Sequence, residues 1–155
     1  MSEEQQQPSF QIEKVYVKDL SLEIPGAPQV FVQQVEPKLE VQIHTTSGQF
    51  AEGYFEVTVA ATVTAKSGEK TLFLAEAVQA GIFSVRNVPE KEVQPLLEIG
   101  CPTILFPYLR ETISDLVIRG GFPPVLLSPV SFEALYVQRL QQQQAAEGPK
   151  IEIAR

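Results

Sequence analysis

The chain has one cysteine and one histidine in 155 residues. A single cysteine excludes an internal disulfide and any metal site built from several thiolates. A single histidine, His44, is a poor candidate for a metal site or a nucleophilic triad. Cys101 precedes Pro102 near a helix start, where a thiolate can be stabilised. No second cysteine or histidine supports it, and a small buried residue is the plainer reading. Basic charge is also short: 12 Lys and Arg stand against 19 Asp and Glu, a net charge of −7. Phosphate contacts need a basic surface, so nucleic acid is not an expected partner, and the acidic balance favours basic ones. No apolar run reaches the roughly 18–20 residues of a membrane span. The N-terminal MSEEQQQPSF is acidic and polar, unlike a signal peptide. Neither G-x-x-x-x-G-K-[ST] nor G-x-G-x-x-G occurs. A cytoplasmic, non-enzymatic protein without cofactor, metal or direct membrane insertion is the expectation.

What is present suits a single domain, since 44% of the residues are hydrophobic. Residues 1–9 are polar, Gln-rich and read as a disordered tail. From Phe10 to Ile24 the chain alternates, with Phe10, Ile12, Tyr16, Leu20, Leu22 and Ile24 on one parity and acids on the other. Lys18, Val15 and Val17 break that parity, which implies a bulge or an interface. The segment PGAPQVFVQQVEP, 25–37, has too many prolines for a regular element, yet carries Val30, Phe31, Val32 and Val35. Residues 38–44 alternate again, and 45–53 read as a connector. Residues 54–66 and 69–85 form the remaining two strands, with Ser67–Gly68 at the hairpin turn. Four strands joined by short connections make an antiparallel sheet the economical solution.

Helices follow the strands. Residues 88–99 form a short candidate, with Val93, Leu96 and Leu97 on one face and Pro95 within it. Gly100–Pro123 is the best-marked helix, closed by Gly120, Gly121 and Pro123. It begins either at Pro107 or in a kinked turn near Thr103. Leu105, Tyr108, Leu109, Thr112, Ile113, Leu116 and Val117 span an arc of roughly 180°, wider than the ~100° one packing partner needs. A second subunit is the favoured cover. Ser131 is a candidate N-cap for a helix over 132–144, and 144–155 reads as a mobile tail. Strands first and helices after indicate an α+β fold, a four-stranded antiparallel sheet with helices on one face. The other face would carry Asp19, Glu23, Thr58, Thr62, Glu76 and Leu74.

Three segments, VYVKDLSLEIPGAPQVF, AGIFSV and GCPTILFPYLRETISDLVIRGGFPPVLLSPVSFEALY, resemble the SecB family of bacterial protein-export chaperones. The resemblance covers about 10–143. It implies a cytosolic homotetramer, a dimer of dimers, that holds unfolded precursor proteins without ATP and passes them to the SecA motor. It implies assembly through the first strand (Val15, Val17) and the long helix (Leu105, Leu109, Ile113, Leu116, Val117). SecA docking is implied for Asp19, Glu23, Leu74 and Glu76 on the free sheet face. Client binding is implied for Val30, Phe31, Val35, Leu39, Val41, Val93, Leu96 and Leu97, some of which must be ordinary core. An alternative is a SecB-like chaperone specialised for a dedicated client such as an antitoxin. A ligand-binding or enzymatic domain would need convergent polar groups, and the sequence shows none.

Overall fold

The structure, a computed structural model, describes residues 7–153. Four antiparallel strands form one sheet: β1 (Ser9–Glu23), β2 (Lys38–Ala51), β3 (Tyr54–Ser67) and β4 (Lys70–Arg86), in the order β1-β4-β3-β2. The two hairpins turn through Gly53 and Gly68, both at positive φ, where a side chain would be strained. Ser9 opens the first strand, and residues 1–6 of the expected N-terminal tail lie outside the described residues. The expected connector over 45–53 is mostly strand: β2 continues to Ala51, pairing Thr45 with Val59 and Ser47 with Val57. Its polar, glycine-containing sequence hides the strand because β2 is an edge with little to bury.

One face of β3 and β4 is packed. Val57, Val59, Ala61, Val63 and Ala65 of β3, with Phe73, Ala75, Ala77 and Phe83 of β4, are all buried in the core. The β1 phase departs from simple alternation. Register shifts at Glu13 and Lys18 leave each opposite no residue of β4. Each bulge reverses the parity, so Val15 and Val17 join Phe10, Ile12, Leu20 and Leu22 on the helix side. Tyr16, expected on that side, lies on the other.

The helical region is one continuous run. α1 (Glu90–Pro95) passes through a π-helical turn (Leu96–Gly100) into α2 (Cys101–Arg119). The expected break before Thr103 or Pro107 is absent: Pro102 lies in the first turn of α2, and Pro107 is inside the helix and exposed. α2 lies across β3 and β4 with Cys101, Leu105, Phe106, Leu109, Ile113, Leu116 and Val117 buried. Gly81 of β4 makes the approach close: a Cβ there would sit 2.9 Å from Leu105 Cδ2.

The breadth of that apolar arc has an internal cause. The extended segment after α2 buries Val125 and Leu127, and Phe132 at the start of α3 (Phe132–Ile153) meets Phe106 edge-on at 5.8 Å. Arg110 Nε donates to the Leu127 carbonyl at 2.8 Å, and its guanidinium lies over the Phe106 ring. The sheet covers one flank of the helix and the returning chain covers another. Ser131 Oγ accepts from the Ala134 amide at 3.2 Å, the expected cap. α3 runs past 144 to Ile153, longer than the expected helix.

Candidate functional site

The sheet face opposite α2 has no helix on it. The register places Glu23 beside Leu74 and Ser21 beside Glu76, with Thr62 and Thr64 flanking on β3. Asp19 pairs with Val78 one step further along. Asp19, Glu23, Leu74 and Glu76 therefore form one patch, an apolar side chain bordered by three exposed or half-exposed acids. No histidine, cysteine or acid cluster fit to hold a metal occurs among the described residues.

The same face carries a feature that sequence reading missed. Tyr16 donates its hydroxyl to Glu56 Oε2, and Lys18 Nζ meets Glu56 Oε1 at 2.7 Å. The Lys18 hydrogen bond, then the Tyr16 one, hold the Glu56 carboxyl below the usual carboxylate range. Burial, then the Glu56 hydrogen bond and charge, push the Tyr16 phenol up to about 12. The broken parity at Val15, Val17 and Lys18 was the signal, since the bulge at Glu13 turns Tyr16 to the face that carries Glu56.

The second candidate surface divides in two. Phe31, Leu39 and Val41 are close to half exposed, at 48%, 46% and 44%. Val35, Val93 and Leu96 are partly buried. Val30 and Leu97, at 3% and 4%, are core and offer a client nothing. The crossover from β1 to β2 traverses the end of the sheet, with a 3-10 turn over Gln29–Val32. The β3–β4 hairpin pins it: Lys70 Nζ donates to Gln33 Oε1 at 2.8 Å, and Ser67 Oγ accepts from the Glu36 amide at 3.3 Å. Beyond β2, a cavity of about 330 Å³ lies between Ile43 and Thr45 and the α3 residues Leu135, Gln138, Arg139 and Gln142. Arg139 reaches Glu98 of the π turn at 3.2 Å, tying α3 to the rod.

The residues expected to bring subunits together are corrected in part. Leu105, Leu109, Ile113 and Val117 have no exposed surface in the monomer's own core, and Leu116 keeps only 8%, so they offer a partner almost nothing. α2 instead exposes Tyr108 and Ile118. The helix side of β1 is open: Ile12, Val17 and Leu20 are each about half exposed, and Val15 is partly so. His44 sits on the open sheet face opposite Ala60, and Cys101 is fully buried, with its thiol pushed up to about 12 by burial.

The family model described as SecB, preprotein translocase subunit SecB, matches residues 3–143. The chain belongs to the SecB family. It is 56% identical over 147 residues to a protein-export protein SecB of Chromobacterium violaceum, covering 94% of this chain and 98% of that one. A Nitrosomonas eutropha protein-export protein SecB is 58% identical over 151 residues, covering 96% and 94%. A SecB-like chaperone of Mycobacterium tuberculosis, solved with a ChAD peptide from the HigA1 antitoxin, superposes with a TM-score of 0.65 at 17% identity. It covers 78% of this chain and 90% of that one, and shares the α+β fold. No described helix is long and apolar enough to cross a membrane.

Proposed function

We propose that the chain is an ATP-independent, cytoplasmic, non-enzymatic chaperone that holds unfolded precursor proteins ready for export and delivers them to SecA. Membership of the SecB family supports the class of activity. The observation that carries the mechanism is the separation of two surfaces on opposite sides of one sheet. Half-exposed Phe31, Leu39 and Val41 offer apolar area to an extended client. Burial there gains roughly 25 cal/mol per Å² before ordering costs, without directional contacts, so many sequences can bind. The acidic patch of Asp19, Glu23 and Glu76 around Leu74 offers charge and one apolar anchor to a basic docking domain of SecA. With the two surfaces apart, a client can stay bound while the motor docks.

Assembly as a dimer of dimers would cover the open helix side of β1, with Ile12, Val15, Val17 and Leu20, and the exposed side of α2. The test is co-purification with native mass measurement. Mass near four times the 17.2 kDa chain, with unfolded precursors and SecA both retained, is expected. A stable monomer that retains neither defeats the proposal. A dedicated antitoxin client is the lesser reading, since at 17% identity the mycobacterial likeness speaks to fold alone. Identification of the bound clients separates the two.

A further inference from the structure

Two adjacent charges of β1 face the same way. Neighbours in a straight strand point to opposite faces, but the second bulge breaks that rule here. Asp19 pairs with Val78, in phase with Leu74 and Glu76 on the open face. Lys18 is opposite no residue of β4, and its amine lies over the same face. A cation therefore stands next in sequence to the first acid of the patch. Its amine is drawn elsewhere: it crosses β4 to β3 and meets Glu56 Oε1 at 2.7 Å. Glu56 pairs with Ile82, whereas Asp19 and Glu76 lie back along β4, at and beyond Val78. The Tyr16 hydroxyl donates to the other Glu56 oxygen. Ala80, between Tyr16 and Thr58 in the register, is fully buried although no helix lies on that face, so side chains of the face itself cover it. The Glu56 side chain is 27% exposed against 50% for Lys18, so water and salt screen this pair less than they would a pair with exposed Asp19.

We infer that Glu56 is a positioning residue for the acidic patch: it holds Lys18 off Asp19 and leaves that carboxylate free for a basic partner. The inference rests on the proposed docking role of the patch and adds what keeps the patch charged. A released Lys18 has Asp19 beside it on the same face and no nearer acid in sequence. Paired, the two would present almost no net charge, and a basic partner would have to part them before it could dock. Held at Glu56, the Lys18 charge is matched at the other end of the sheet face. Glu56 acts only through Lys18.

The test is SecA binding to the full chain by surface plasmon resonance at about 0.15 M ionic strength, where exposed charges more than about 8 Å apart are largely screened. Glu56→Gln keeps the shape of the side chain and removes its charge. It is expected to weaken binding by about two- to five-fold, the worth of an exposed ion pair that the partner must break. In a Lys18→Gln background there is no cation to release, and the same change should leave binding within about 1.5-fold. Tyr16→Phe removes the other Glu56 hydrogen bond but leaves Lys18 held, so SecA should bind it as it binds the parent. A Glu56→Gln effect that persists in full without Lys18 overturns the inference, as does a Tyr16→Phe loss that equals it. Charge reversal at Glu23 and Glu76 reads the docking role itself. If that reversal leaves SecA bound as before, the docking role of the patch fails too; if it weakens binding but Glu56→Gln does not, only the positioning role fails.

Discussion

Gln79 of β4 and Thr112 of α2 meet at the contact between sheet and helix, the Thr112 hydroxyl donating to Gln79 Oε1 at 2.8 Å. Gln79 is 3% exposed, and its amide donates on to the Tyr16 carbonyl at 3.2 Å, beside the second bulge of β1. One buried amide joins helix, central strand and edge strand. Thr112→Val leaves that oxygen without its partner and is expected to cost about 1–3 kcal/mol. Urea unfolding should show a lower midpoint at unchanged slope. The Thr112→Val, Gln79→Leu double variant should lose less than the sum of the two single losses.

Gly81 sets how close α2 can lie. A methyl group there meets Phe83 Cε2 at 2.8 Å and Leu105 Cδ2 at 2.9 Å, both in a packed core. Gly81→Ala should destabilise by about 1–3 kcal/mol through overpacking. Gly48 of β2 has nothing within 4 Å of the same position, so Gly48→Ala is the control and should be neutral or slightly stabilising. Thermal midpoints of the two variants check the contrast.

The Tyr16–Glu56–Lys18 cluster gives stability two pH limits. Glu56 is held below its ordinary value in the folded state, chiefly by Lys18, so its contribution is present above about pH 4.5 and lost as pH falls through the folded value. Glu56→Gln should flatten that acid limb. Tyr16 moves the other way: its phenol rises from 10.0 to about 12, so the associated stability is present below pH 10 and lost as pH rises through about 12. Alkaline absorbance titration should show one of the four tyrosines ionising late, and Tyr16→Phe should remove that step.

Charge reversal at Glu23 and Glu76 should weaken docking of a basic SecA domain by about ten-fold or more at low salt, mostly through slower association. Added salt should narrow the difference between variant and parent, because the exposed charges are screened. Client peptide affinity should not change, since the acids face away from the crossover surface. Surface plasmon resonance at two ionic strengths separates these effects.

Cys101 has no exposed surface and a thiol raised to about 12 by burial, so little thiolate forms at neutral pH. Thiol-alkylating reagents should label it only after denaturation. Native labelling at the unfolded rate would contradict its placement.

The fold was legible where each residue faces one environment. β3 and β4 pack one face and open the other, so alternation alone sorted Val57 to Ala65 and placed Glu76 beside the other acids. β1 defeated alternation because a bulge is a relation between two strands, and one strand's letters show only the broken parity. The acidic patch followed from sequence because its members share a free face. The interface residues of α2 did not. Their wide arc was correctly read, but its second cover is the chain's own segment from Phe122 to Phe132, whose reversal over the helix no local pattern encodes. Val30 and Leu97 misled for a similar reason: an apolar residue in a loop or short helix looks alike whether it lines a groove or floors it.

The paired bulges of β1 also bear on how this strand can change length. Each holds one residue more than its partner strand requires, at Glu13 and at Lys18. Losing either codon would straighten the strand locally and leave every other side chain on its present face. Losing a codon from β3, which has a shift only beyond Ala65, would turn the rest of the strand over and send its valines into water. The loss at either place in β1 would cost the Ser84 contact to Glu13 or the ion pair of Lys18. The bulges thus give this edge strand two places where its length can change without redrawing the core.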